Sequence, residues 1–190
     1  MPERFVIATQ NPGKIREFQA LLKDIEGELI LPGEMEDIEE TGTTFEENAR
    51  IKAKAVAEKF QGMVAIADDS GLVVDALDGR PGVYSKRYGE NDADRIQKLL
   101  AELKNISNRK AKFVCVICVY GNGIDECFTG DIAGMIGEPK GSKGFGYDPI
   151  FIPEGYTQTF AELGNEVKNT ISHRSRAMEK AKDFLKKLTQ

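Results

Sequence analysis

The stretch Val64-Ala-Ile-Ala-Asp-Asp-Ser-Gly71 constrains this chain more than any other. Four residues suited to a buried strand run without a break into two carboxylates, a hydroxyl and a glycine. A rigid apolar element that ends on acids is how an α/β fold presents chemistry at a strand end. Successive strand side chains point to opposite faces, so Asp68 and Asp69 are expected to act separately, one of them facing a cleft. The same Asp-Asp-Ser-Gly run also suits an ordinary tight turn, because those residues tolerate tight backbone geometry. Leu72 to Leu77 is then expected to form a further strand, with Asp75 placed behind the site.

Such a strand needs a core around it. The chain has 190 residues, 41% of them hydrophobic and 30% charged, enough for one globular domain with a substantial interior. A formal net charge of -5 argues against general nucleic-acid binding, which needs a basic face for the phosphates. The run from Arg4 to Ala8 carries no export signal, and nowhere do about 18 apolar residues follow one another. The expectation is therefore a cytoplasmic protein without membrane contact. Cys115 and Cys118 have the spacing of a metal or redox pair, but Phe113 to Tyr120 reads as a strand, on which residues three apart point opposite ways. Both thiols are expected as small core residues.

Arg4 to Ala8 predicts a first strand, and Thr9-Gln10-Asn11-Pro12-Gly13-Lys14 leads from it into a helix with Ile15, Phe18, Leu22 and Ile25 on one stripe. Asn11 suits the N-cap and Pro12 the first helical position. A strand, a polar loop and a helix start can together bind an anion through free backbone N–H groups, with Lys14 as a mobile charge. The loop lacks the Gly-x-x-x-x-Gly-Lys-Ser/Thr pattern of a P-loop. Glu28 to Leu31 predicts a second strand, followed by an acidic segment from Glu34 to Glu40. Thr43 or Thr44, with Glu46 or Glu47 three residues on, forms a capping box. The helix it opens carries Ala49, Ala53, Val56, Ala57 and Phe60 on one face, with Lys52 off that stripe. A carboxylate of the acidic segment would reach a metal if the fold brought it over Asp69. Asn91 or Asp92 caps a helix through Lys104, and Ala111 to Tyr120 pairs with Ile124 to Asp131 across Gly121-Asn-Gly123.

Two later segments carry chemistry. Pro139-Lys-Gly-Ser-Lys-Gly-Phe-Gly-Tyr-Asp-Pro149 combines glycines, aromatics, lysines and an acid, parts that suit a planar heterocycle through close backbone approach, stacking and acceptance from a ring N–H. Ile171-Ser-His-Arg-Ser-Arg176 opens the last helix, whose stripe includes Ala177, Ala181, Phe184, Leu185 and Leu188. His173, Arg174 and Arg176 fall in its first turn, where the dipole disfavours cations, so an anionic or hydrogen-bond-accepting partner is expected there.

Taken in order, Thr9-x-Asn-x-x-Lys14, Glu39-Glu-Thr-Gly42, Phe45-x-x-Asn48, Ala67-Asp-Asp-Ser-Gly-Leu72, Pro81-Gly82, Gly144-Phe-Gly-Tyr-Asp-Pro149 and Lys168 with Ser172-His-Arg174 resemble the inosine/xanthosine triphosphate pyrophosphatase family over nearly the whole chain. The resemblance implies an α/β fold of ITPase-like or Maf/HAM-like type, an elongated, curved, mixed sheet flanked by helices. It implies one domain over residues 1–190 with two lobes and a central substrate cleft, a homodimer, and magnesium (Mg2+) as cofactor. The implied reaction converts deaminated purine nucleoside triphosphates (ITP, dITP, XTP) to the monophosphate and pyrophosphate. By position, Asp69 resembles the proton acceptor and a metal ligand, and Glu40 the second metal carboxylate. Thr9, Gln10, Asn11, Pro12, Gly13 and Lys14, with Lys52 and Ser70, would hold the triphosphate. Phe145, Gly146, Tyr147, Asp148, Lys168, His173 and Arg174 would hold the base and its surroundings. Gln10 stands where the family commonly has glycine. A Maf-like pyrophosphatase acting on pyrimidine or modified nucleotides, and a nucleotide sensor without turnover, are the alternatives.

Overall fold

The structure is a computed structural model that describes residues 4–31, 33 and 36–188, so positions 34 and 35 of the expected acidic segment lie outside the described residues. Its strands are β1 (Arg4–Ile7), β2 (Glu28–Ile30), β3 (Val64–Val74), β4 (Lys110–Gly121), β5 (Ile124–Ile136) and β6 (Phe151–Pro153). Its α-helices are α1 (Pro12–Leu22), α2 (Phe45–Lys59), α3 (Asp92–Glu102), α4 (Phe160–Leu163), α5 (Asn165–Ile171) and α6 (His173–Leu188). The strands form one mixed sheet in the order β2-β1-β3-β4-β5-β6. β1 runs parallel to both β2 and β3, whereas β6 is antiparallel to β5. Asn122 (φ 52) and Gly123 (φ 83) join β4 to β5 with the two left-handed residues that a tight hairpin requires.

By internal contacts the chain divides into two compact units. The first holds residues up to Asp69, Cys115–Gly130 and everything from Arg174 on; the second holds Ser70–Val114 and Asp131–His173. In the first unit, strand alternation sorts the core into two layers. Phe5, Ile7, Val64, Ile66, Cys115, Ile117 and Val119 pack with Phe18 and Leu22 of α1 and with Ala177, Met178, Ala181 and Leu185 of α6. Val6, Ala8, Ala65, Ala67, Val116 and Cys118 pack instead with Ala49, Ala53 and Val56 of α2. The second unit is built round Leu72, Val74, Phe113, Ile132, Ile136, Phe151 and Phe160, with Ile96 and Leu99 of α3.

Four expectations are corrected. The acids do not close a strand, because β3 runs unbroken from Val64 to Val74 with Asp68 and Asp69 near its middle. What ends there is β1, whose last paired residue is Ile7 opposite Ile66, so β3 outruns its neighbour just before the acids. The strand expected at Leu72 to Leu77 is the tail of β3 followed by a 3-10 turn over Asp75–Leu77, which leaves Asp75 exposed. α3 stops at Glu102 rather than Lys104. Cys115 and Cys118 do face opposite layers, but Cys118 is no free thiol: it is disulfide-bonded to Cys127 of β5, while Cys115 is free and buried. The nine-residue separation hid that pair, because only the hairpin register brings Cys127 opposite Cys118. Helices α4 and α5 were not anticipated, although Thr159 and Glu162 form a reciprocal capping box that the sequence spells out. Among the described residues no helix is long and apolar enough to cross a membrane.

Candidate active site

In the first unit a buried charge network forms around Asp68. Asp68 points into the layer of α1 and α6, where its side chain is fully buried. Its Oδ2 accepts from Arg174 Nη2 at 2.8 Å and from Arg174 Nε at 3.2 Å, and Lys14 Nζ lies 3.0 Å away. Arg174 also pairs with Glu17 of α1. Burial alone would push the Asp68 carboxyl up, but Lys14 and Arg174 outweigh it and hold that carboxyl far below the usual range. Burial in turn lowers Lys14, while Asp68 and Glu17 overcome burial at Arg174 and raise it. The anionic partners expected for the first turn of α6 are therefore Asp68 and Glu17. Glu17 escaped the sequence reading, although its spacing of three from Lys14 puts both on one side of α1.

Asp69 points the other way, toward α2. Lys52 of α2 sits between two carboxylates, with Nζ 2.6 Å from Glu40 Oε1 and 3.6 Å from Asp69 Oδ1. Burial raises the Asp69 carboxyl despite the neighbouring lysines. At Lys52 burial is overcome by Asp69, Asp68 and Glu40, which raise it. Glu40 reaches this position because the segment before α2 is clamped: Gly42 N–H donates to the buried Asn48 Oδ1 at 2.8 Å. Thr44 and Glu47 then close the capping box that starts the helix.

The loop from Thr9 to Lys14 differs from its expected use. Asn11 Oδ1 accepts from Gly13 N at 2.9 Å and from Lys14 N at 3.2 Å, so it takes two of the helix-start N–H groups expected to be free for an anion. Asn11 N–H itself donates to Thr9 Oγ1 at 3.2 Å, and the exposed Gln10 reaches the Gly33 carbonyl at 3.4 Å. Pro12 opens α1 as expected. Lys14 is not a mobile charge, because Asp68 fixes it.

The second unit gathers Phe145, Asp148, Lys168 and His173. Lys168 of α5 and Asp148 form an ion pair at 2.7 Å with both side chains 2% exposed, and Lys168 Nζ lies 4.3 Å from the centre of the Phe145 ring. The same Asp148 oxygen accepts from Phe145 N–H at 2.9 Å. A Cβ on Gly144 (φ +78) would lie 2.1 Å from that oxygen, so only glycine fits. His173 stacks on Phe113 with ring centres 4.7 Å apart. Tyr147 is buried, its hydroxyl donating to the Ser85 carbonyl at 2.9 Å, which leaves Phe145 as the loop aromatic with surface to offer. Ser70, expected beside the phosphates, is the first residue of the second unit. Arg174, expected near the base, belongs to the first, with its guanidinium on Asp68 and Glu17.

Among the described residues no three His, Cys, Asp or Glu side chains are grouped to hold a metal by themselves. Glu40 and Asp69 nevertheless converge on one cation, Lys52. Two carboxylates are what magnesium commonly takes from a protein, with substrate phosphates completing its shell. Charge points the same way. Asp68, Asp69, Glu40 and Glu17, when ionised, outnumber Lys14, Lys52 and Arg174 by one, so this cluster carries no surplus positive charge for a polyphosphate.

A model of the Ham1 family matches residues 5–184. A dITP/XTP pyrophosphatase of Aquifex aeolicus is 46% identical, across 96% of this chain and 96% of its own length. One from Prochlorococcus marinus is 50% identical, across 96% of this chain and 94% of its own. The solved structure of a HAM1 protein from Coxiella burnetii matches with a TM-score of 0.89 at 44% identity, covering 97% of this chain and 99% of that one.

Proposed function

This chain belongs to the Ham1 family, and we propose that it hydrolyses the deaminated purine nucleoside triphosphates ITP, dITP and XTP to the monophosphate and pyrophosphate. The observation that carries the reading is the Glu40–Lys52–Asp69 arrangement: a buried carboxylate whose affinity for a proton is raised, beside a lysine and a second acid. A general base works best when its pKa moves toward the operating pH, and burial moves Asp69 in that direction. In the proposed mechanism Asp69 accepts the proton of a water that attacks the α-phosphorus in line, and pyrophosphate leaves. Lys52 and Lys14 face the triphosphate, with Thr9 to Gly13 and Ser70 alongside it. Arg174 and Lys14 keep Asp68 ionised, Asp68 in turn holds Lys14 in place, and Glu17 pairs with the same Arg174. Magnesium, held by Glu40 and Asp69, would supply charge neutralisation to the triphosphate and the leaving group.

The second unit takes the base in this proposal. Phe145 offers a ring for stacking, and Gly146, Tyr147, Asp148, Lys168 and His173 surround it. The 6-oxo group and N1–H of hypoxanthine or xanthine reverse the hydrogen-bond pattern of adenine. A buried site matched to that pattern rejects the amino form by about 1–3 kcal/mol for each polar group left unpaired. The proposed setting is cytoplasmic, and the proposed assembly is a homodimer.

Pyrophosphate release measured over a panel of triphosphates tests the reading. Magnesium-dependent turnover of ITP and XTP far faster than of ATP is expected, and equal rates on the four common triphosphates would refute the selectivity. Asp69→Asn should abolish turnover while still binding ITP; a near-normal rate in that variant removes Asp69 from its role.

A further inference from the structure

The loop that carries Phe145 is held partly from within, where Asp148 N–H donates to the Phe145 carbonyl at 3.3 Å, and partly by groups outside it. Gly144 and Gly146 both sit in the left-handed region, at φ 78 and 64, where a chain with no outside anchor samples many conformations. Two anchors belong to the residues already described: Asp148 takes Phe145 N–H on one side, and Tyr147 reaches the Ser85 carbonyl on the other. Between them lies a third, contributed from 54 residues away. Gly146 N–H donates to Asp92 Oδ2 at 2.8 Å. The other oxygen of Asp92 accepts from Arg95 Nη1 at 2.5 Å one turn along α3, so both oxygens of the carboxylate are directed.

Asp92 is not needed to build the helix it starts. Asn91 caps α3 by accepting from Asp94 N–H at 2.9 Å, and Ile96 and Leu99 fasten it to the core. The Asp92 side chain is 47% exposed, a poor investment if it served packing alone. Among the described residues its one long-range bond goes to the backbone next to Phe145.

We propose that Asp92 is a positioning residue: by holding Gly146 N–H it fixes the Phe145 ring against the nucleoside, and so sets affinity for the base without touching the phosphate chemistry. This rests on the reading above that Phe145 meets the base. It assigns α3, which that reading leaves without a role, to substrate recognition.

Asp92→Ala and Asp92→Asn test it, the second because asparagine keeps a carbonyl oxygen for Gly146. Hydrogen exchange over residues 144–148, read without substrate, should quicken by about tenfold in the alanine variant, the worth of one hydrogen bond to a charged group. It should stay near wild type in the asparagine variant. In steady state, Asp92→Ala should raise the KM for ITP and the inhibition constant of IMP by about the same tenfold factor, leaving kcat within about twofold. Inorganic tripolyphosphate, which has no base, should inhibit both variants as it does the wild type. Unchanged exchange in Asp92→Ala overturns the proposal, and so does equal weakening of IMP and tripolyphosphate. A wild type that turns over no ITP overturns the proposed function instead, while the exchange experiment still decides whether Asp92 holds the loop.

Discussion

Asp68 and Asp69 are neighbours in sequence with opposite tasks, and alternation along β3 is enough to predict that they separate. What alternation cannot supply is the partners. Arg174 stands 106 residues from Asp68 and 157 from Glu17, and no local pattern announces that α6 will return to α1. Lys14, Lys52 and Arg174 also explain how two acids sit inside a continuous strand, where a strand end was the expectation: burying a charge is tolerated when it is paired. Asp68→Asn should therefore be costly, because it leaves Arg174 and Lys14 facing a neutral amide in a buried site. A loss of about 3–5 kcal/mol in urea unfolding is expected, as for other broken buried pairs. Acid titration checks the same pairing. The folded pKa of Asp68 lies far below its ordinary 3.8, so on acidification the unfolded chain takes up a proton first and stability drains away as pH falls from about 3.8 down toward the folded value. That stability is fully present above the ordinary value, and the asparagine variant, which has no such proton, should show a shallower loss on the acid side. An identical acid slope in the two proteins would mean that Asp68 is not held ionised.

At the scale of elements, the ends of the helices were easier to read than the loops between them. Asn11, Thr44 and Asn91 each cap the helix expected of them, since a cap depends on residues within one turn. The clamp that places Glu40 depends on a glycine and an asparagine six residues apart, both legible only as motif positions until Gly42 N–H is seen on Asn48. A Cβ at position 42 would lie 2.6 Å from Glu47 Cβ and 2.7 Å from Asn48 Oδ1, so the backbone two residues after Glu40 would have to move. Gly42→Ala should thus displace Glu40 and crowd Glu47 of the capping box, while most of the helix content by circular dichroism is kept. The magnesium concentration for half-maximal rate should rise on the order of tenfold, the usual cost of disturbing the support of a metal ligand. Turnover at saturating metal should change less. An unaltered metal dependence would remove Glu40 from the metal site.

For the molecule as a whole, charge sets a problem that composition already poses. A chain of net charge -5 is proposed to bind a triphosphate that is itself strongly anionic, and the first unit's cluster of ionised acids and cations adds no surplus positive charge. Coulomb repulsion inside a partly buried site is too strong to be offset by stacking on one ring. A divalent cation reverses the sign of the cluster, so nucleotide and metal should bind only together. Thermal unfolding with a non-hydrolysable ITP analogue measures this directly, because a ligand that binds the folded state raises its stability by an amount fixed by mass action. At a hundredfold excess over the dissociation constant that is about 2.7 kcal/mol. For a chain of this size each kcal/mol moves the midpoint by about 2–4 °C, so a rise of about 5–10 °C is expected with analogue and magnesium together. The analogue with a chelator, and magnesium without the analogue, should each move it far less than the sum requires. An equal rise in the presence of chelator would show that Lys14 and Lys52 suffice to hold the triphosphate and that Glu40 and Asp69 bind no metal with it.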